Sequence, residues 1–324
     1  MKCRICGNEN NNRSYELQEM MFGYRDIFRY FQCCNCNCLQ IEEFPGNISK
    51  YYPDQYYSHE PISKNGKLKR YLINLSNEYA IHGRGFIGRF LYGRHRTNRI
   101  LRSLSSLQLT QDTSILDIGC GVGTLLYFLR ELGFKNLLGI DPFNKKDVEY
   151  PNGVKILKKE ISEVDGQWDL IMLHHSFEHL PDPKKTLETV FALLNAGGDC
   201  VIRTPIVPCY AWEYYKEKWV QLDPPRHFYV HSIESIEILG NQSGLSLYKV
   251  IYDSTSFQFW GSEQYKREIP SMDLRSFWIN PKGSIFSKNE IAAYDKQATL
   301  LNEQGRGDQA IFYLRKMDSV RGNG

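Results

Sequence analysis

The segment Ile115-Leu116-Asp117-Ile118-Gly119-Cys120-Gly121-Val122-Gly123 limits what this chain can fold into more than any other stretch of its 324 residues. It reads as a buried strand running straight into a glycine-rich turn, and the turn opens a helix. Leu125, Leu126, Leu129 and Leu132 follow at helical spacing, and Gly133 ends the helix. Such a turn lets a ligand lie against bare backbone, under the positive end of a helix dipole. A dinucleotide-binding turn uses a related Gly-x-Gly-x-x-Gly pattern. The match to that fingerprint fails, because Thr124 stands three after Gly121 and Asp117 lies two before the first glycine. Further on, residues 136–141 read as a second strand ending in the carboxylate of Asp141. A carboxylate about twenty residues past a glycine turn is the usual acceptor for a ribose diol in doubly wound folds.

Asp117, Gly119, Gly121, Gly123 and Asp141 fill the pattern of class I S-adenosylmethionine-dependent methyltransferases, which this chain resembles. The resemblance implies an α/β fold built on a doubly wound, Rossmann-like mixed sheet. It implies S-adenosylmethionine as cofactor, held by Asp117, Gly119, Cys120, Gly121, Gly123, Asp141, Pro142 and His174. Tyr92, Arg94 and His95, on helices ahead of the first strand, are further candidates for the cofactor's carboxylate. The bland alternative is a nucleotide fold of another kind, or a tight turn with no ligand.

Alternating strand and helix signals imply a parallel sheet. Residues 154–158, 168–173 and 199–203 read as the next strands, with a helix at 183–194 stopped by Gly197-Gly198. A helix at 232–242 and a strand at 245–252 follow. The resemblance adds a closing strand at 309–315, after an insertion at 253–307 that holds a helix at 288–302. The expected organisation is a zinc-binding module at 1–45, a tyrosine-rich and basic helical cap at 46–109 and the methyltransferase domain at 110–324.

Six of the nine cysteines fall in the first 38 residues. Cys3-x-x-Cys6 and Cys33-x-x-Cys36 form two knuckles able to bring four thiolates to one tetrahedral zinc, in a small zinc-ribbon-like module. Gly7 follows the first pair and Asn37 the second, and both tolerate a left-handed backbone. That parallel favours Cys33 and Cys36 over Cys34 and Cys38. Four thiolates leave no open position, so the metal is expected to be structural. A disulfide framework is the competing reading, disfavoured in a reducing compartment.

Charge is uneven. Between Lys64 and Arg102 stand ten Lys/Arg and one acid, Glu78, a local charge of +9; in a chain of net +3 the remainder carries −6. Such a stretch calls for an anionic partner, or is a solvated helical face. The tyrosine tract at 51–57 reads as packing between the zinc module and the main domain, with a lid or substrate-facing surface as the alternative. The opening residues lack an apolar signal region, and no run is long and apolar enough to span a bilayer. A cytoplasmic protein with no membrane partner is therefore expected.

Two segments should reach the carboxyl edge of the sheet. The first, His174 to Pro183, contains His174, His175, Glu178 and His179. Metal binding is one reading; hydrogen bonds that hold the loop are the other. His174 and His175 should point to opposite sides of an extended backbone, with one beside the cofactor. The second segment, 219–232, contains Arg226 and His227 and follows the aromatic Trp212, Tyr214 and Tyr215. His227 is the first choice for a general base, with His175 the other catalytic candidate. Arg226 is a candidate clamp for an anionic group. The aromatic loop suits a sugar-like acceptor, or folds back onto the core. The module-plus-domain plan is similar to bacterial sugar C-methyltransferases, although their Tyr-His-Glu-His-Phe stands as Pro224-Pro225-Arg226-His227-Phe228 here. The expected function is methyl transfer to a small molecule such as a sugar, nucleotide-sugar or glycan precursor. RNA methylation and non-catalytic cofactor binding are the alternatives.

Overall fold

In the computed structural model the described residues are 1–53, 66–92 and 97–317. Strands β1 (Arg13–Gln18), β2 (Ile27–Gln32) and β3 (Leu39–Ile41) precede helices α1 (Lys67–His82), α2 (Phe86–Leu91) and α3 (Thr97–Leu104). Next come β4 (Ser114–Ile118), α4 (Thr124–Glu131), β5 (Asn136–Ile140), β6 (Val148–Glu149), β7 (Lys155–Leu157) and β8 (Trp168–His174). The chain continues through α5 (Pro183–Leu193), β9 (Leu194–Pro205), α6 (Tyr210–Tyr215), β10 (Tyr229–Val230) and α7 (Ile233–Gln242). It ends with β11 (Leu245–Tyr252), α8 (Phe257–Lys266), α9 (Lys288–Glu303) and β12 (Gln309–Lys316). Arg94 and His95, and Tyr56 and Tyr57 of the tyrosine tract, lie outside the described residues.

The chain forms two compact units, each assembled from separate stretches. The first comprises Met1–Pro53, Phe177–Glu188 and Ile202–Leu314; the second comprises Asp54–Ser176, Thr189–Val201 and Arg315–Gly324. In the second unit the strand order is β8-β4-β5-β7-β6. β4 runs parallel to both β8 and β5, β5 parallel to β7, and only β6 is antiparallel. The apolar run of β4 is buried because a parallel strand is covered on both faces. Leu125, Leu126 and Leu129 form the buried stripe of α4. Gly197 and Gly198 do not stop a helix as expected. α5 ends at Leu193 and β9 starts at once, so both glycines lie inside a strand, with Gly197 at φ 69°. Strand pairing, not the local glycine signal, sets that boundary.

In the first unit β12 lies between β11 and the end of β9. A separate sheet has the order β1-β2-β3-β10. Its fourth strand comes from nearly two hundred residues downstream: Tyr229 pairs with Gln40 and Val230 with Leu39. Tyr51 is buried and donates to Asp26 Oδ2 at 2.6 Å. Helix α8 was not anticipated. Residues from Gln258 to Tyr265 are buried almost all round it, so it lacks the apolar-and-polar period that marks a surface helix.

Candidate functional site

The residues that could hold a methyl donor lie in the second unit. The backbone leaves β4 at Ile118 and turns through residues 119–123 into α4. Gly119 and Gly123 have φ of 69° and 76°, a left-handed region that suits glycine. Space demands glycine as well: a Cβ on Gly119 would stand 2.4 Å from Ser176 Cβ, and one on Gly123 2.2 Å from Ile156 Cδ1. Asp141, just past β5, ties the turn down. Its Oδ2 accepts from Gly121 N at 2.8 Å and its Oδ1 from Phe143 N at 2.9 Å. Asn144 Nδ2 donates to Gly121 O, and Ser176 Oγ to Ile118 O, both at 2.8 Å.

Asp117 is the charged residue of this cradle with an unmet need. It is 3% exposed, and its Oδ1 has no hydrogen-bond partner among the described residues. Burial, and then the charge of Asp141, push its carboxyl up to about 8. A buried carboxylate oxygen without a donor, next to a second carboxylate, fits a ligand that brings positive charge and N–H groups. S-Adenosylmethionine carries an ammonium and a sulfonium, so these residues fit it. Cys120, Pro142 and His174 are half-buried around the same strand ends. His175 is half-buried with φ 51°. The extended backbone therefore ends at His174, and the expected strand-like alternation of the two imidazoles does not apply.

The cysteine knuckles belong to the first unit. The sulfurs of Cys3, Cys6, Cys33 and Cys36 all lie within 4.8 Å of one another, with Cys3–Cys36 at 3.6 Å and Cys6–Cys33 at 3.5 Å. Tetrahedral Zn–S bonds of about 2.3 Å set sulfurs about 3.8 Å apart, so the set fits such an ion. Cys34 and Cys38 stay outside the cluster, and Gly7 and Asn37 take φ of 74° and 57°.

The same unit gathers Glu178, His179 and His227, whose ligand-type atoms also lie within 4.8 Å and are close enough to share a cation. The sequence had grouped Glu178 and His179 with His174 and His175 instead. His227 is 7% exposed; its Nδ1 lies 2.9 Å from Gln221 O. A carbonyl only accepts, so Nδ1 carries the proton and Nε2 the lone pair. Nε2 is 3.9 Å from both Glu178 Oε1 and Asp223 Oδ2. Burial first, and His179 next, lower this imidazole to about 4; Asp223 and Glu178 oppose that and are outweighed. His179 Nδ1 likewise meets Arg226 O at 2.8 Å, and the two rings are edge-on at 4.8 Å. The chain direction here is set by β10, two residues past His227, and by Tyr30, whose hydroxyl donates to His227 O at 2.8 Å.

Arg226 is not a substrate clamp. It is fully buried and spent within the protein. Nε donates to Asp223 Oδ2 at 2.9 Å; Nη2 donates to Asp223 Oδ1 at 2.6 Å and Glu19 Oε1 at 2.9 Å. Nη1 donates to Tyr51 O at 3.2 Å. The aromatic loop also folds inward: Trp212, Tyr215 and Trp219 are buried and only Tyr214 is well exposed. Trp219 Nε1 and Gln221 Nε2 both donate to Asp308 Oδ2, at 3.0 and 3.1 Å. Glu19 and Asp308, the partners that fix this loop, were missed because nothing near them in sequence marks them.

Residues 92–250 match a protein family described as a methyltransferase domain. A tRNA U34 carboxymethyltransferase of Nautilia profundicola is 31% identical over 111 residues, 30% of this chain and 36% of that protein. An EEF1A lysine methyltransferase 2 of Danio rerio is 28% identical over 123 residues, 38% of this chain and 46% of that protein. A ubiquinone biosynthesis O-methyltransferase of Colwellia psychrerythraea is 33% identical over 98 residues, 27% of this chain and 39% of that protein. The chain thus matches less than half the length of these curated relatives. The 92–250 segment, which holds the glycine cradle, is thus similar to a methyltransferase domain. No helix among the described residues is long and apolar enough to cross a membrane.

Proposed function

We propose that the methyltransferase domain of residues 92–250 equips this chain to move a methyl group from S-adenosylmethionine to a small-molecule acceptor, a sugar, nucleotide-sugar or glycan precursor. The observation that carries the reading is the cradle itself: a glycine turn pinned by Asp141 beside a buried, unsatisfied Asp117. The sugar class rests on the resemblance to sugar methyltransferases. The bound donor supplies a methyl carbon already activated by a positive sulfur. The protein then has to align the acceptor and remove its proton. In this reading Asp141 receives the ribose hydroxyls and Asp117 the ammonium. The turn at Gly119, Cys120, Gly121 and Gly123 approaches the donor with bare backbone, and Pro142 and His174 border it. His227, neutral at physiological pH with its Nε2 lone pair available, takes the acceptor's proton. His175 is the second candidate for that proton.

A structural zinc on Cys3, Cys6, Cys33 and Cys36 belongs to the same proposal, supported by the spacing of the sulfurs. None of the nine cysteines is joined in a disulfide, which suits a reducing, cytoplasmic compartment.

A methyl-transfer assay with radiolabelled donor against a panel of nucleotide sugars tests the function. Transfer to at least one of them, reduced about tenfold or more at limiting donor in Asp117→Asn, is expected. RNA is the second reading, favoured by the tRNA enzyme among the relatives and by the +9 segment. Label appearing in RNA and in no sugar would replace the first reading with it. Tight donor binding with no acceptor methylated would instead mark a non-catalytic binding protein.

A further inference from the structure

Helices α1 and α2 carry an apolar surface that neither the donor cradle nor the acceptor groups use. α1 buries Ile73, Ala80 and Ile81 and turns Leu68, Tyr71 and Leu72 outward, 73%, 60% and 36% exposed. α2 packs on it through Gly88, where a Cβ would stand 2.2 Å from Leu75 O. That contact leaves Phe86, Ile87 and Phe90 outward, 87%, 56% and 70% exposed. Leu68, Tyr71 and Leu72 share one helix face, as do Phe86, Ile87 and Phe90. Clustered large apolar side chains at such exposure mark an interaction surface, whereas single ones do not. Lys69, Arg84 and Arg89 of the same stretch of chain are exposed as well.

Charge decides the occupant. The surface lies in the segment that carries +9 with Glu78 as its one acid, so a second copy of the same face would be repelled. Nucleic acid would satisfy the cations but leave Leu68, Leu72 and Ile87 in water, since aliphatic side chains neither stack on bases nor pair with phosphates. A bilayer with anionic headgroups meets both needs: acyl chains take the apolar side chains, and phosphates take long cations that reach up from the interface. We infer that α1 and α2 form a peripheral docking surface for an anionic lipid membrane. This departs from the expectation of no membrane partner, which was drawn from the lack of a spanning run, and an in-plane surface does not need one.

Co-sedimentation of the full chain with phosphatidylglycerol–phosphatidylcholine vesicles tests this. The protein should pellet with mixed vesicles, remain in solution with phosphatidylcholine alone, and release as salt rises. Phe86→Ser with Phe90→Ser should weaken binding at least about tenfold, as should Arg84→Glu with Arg89→Glu. All four positions are exposed, so unfolding temperature and S-adenosylmethionine binding should stay at the wild-type level, which separates this inference from the proposed function. Equal binding to both vesicle types would overturn it. So would RNA binding that is lost in the arginine variant and kept in the phenylalanine variant, or a concentration-dependent dimer without vesicle binding.

Discussion

At the scale of single residues, Asp117 and His227 respond to pH in opposite senses. Asp117 is held near 8, so between about 4 and 8 the folded chain keeps a proton that the unfolded chain has lost. Its contribution to stability therefore falls as pH rises through that window. A cationic ligand reverses the preference and expels the proton. Donor binding followed by calorimetry at neutral pH should release a proton in wild type and none from position 117 in Asp117→Asn. That variant should raise the unfolding temperature of the ligand-free protein and weaken donor binding about tenfold or more. His227 is lowered to about 4 and His231 to about 3, mainly by burial. Their unfolded forms bind protons first, so stability is lost as pH falls from about 6.5 towards 4. Acid unfolding midpoints of His227→Asn should shift to lower pH. The same variant should lose about a hundredfold or more in methyl transfer while keeping donor affinity, if His227 is the base. Asp117 was legible because its whole motif is local. Arg226 was misread as a clamp because its partners, Asp223 apart, lie about two hundred residues away; Arg226→Ala, which strands the buried Glu19 carboxylate, should cost about 3–5 kcal/mol in denaturant unfolding.

At the scale of elements, the strand after His227 belongs to the cysteine module's own sheet. β10 pairs with β3, and Ser232 Oγ, the N-cap of α7, donates to Cys36 O. Ser232 caps Ser235 N while Ser235 Oγ accepts from Ser232 N, so a serine fills the capping-box position usually held by Glu. A metal that fixes Cys33 and Cys36 thereby fixes the backbone that carries His227. Metal analysis should find one zinc per chain, absent in Cys3→Ser. Transfer by Cys3→Ser should fall about tenfold or more, while donor binding, seated in the other unit, changes little. An unaltered transfer rate in a zinc-free variant would separate the module from the acceptor chemistry. Most strands of the second unit were legible within a residue or two, because buried parallel strands are continuous apolar runs. α8 and β3 were not, because their burial comes from distant neighbours, and β1 was not, because it is exposed or half-buried along most of its length and lacks an apolar run.

At the scale of the whole molecule, the compact units do not follow the chain. Residues 1–53 fold with 177–188 and 202–314. Deleting residues 1–45 should therefore do more than remove a module: it strips β10 of its partner strands and Arg226 of Glu19. Limited proteolysis of the shortened chain should show new cleavage within 219–232, which the full chain resists. Cleavage patterns that match would mean the module is independent of that loop. Charge is also organised at this scale, since a modest net charge conceals a +9 segment whose helices α1 and α2 also expose large apolar side chains.

By itself the sequence determined the glycine turn with its flanking carboxylates, the two cysteine knuckles and the alternation of the second unit. Each depends on residues a few positions apart, where turn geometry and strand or helix period act directly. The tertiary structure decided what His227 faces, that Arg226 is consumed internally, that the aromatic loop is core, and which apolar side chains remain outside. Those properties depend on groups brought together from across the chain, and burial and pairing at such range leave no local pattern to read.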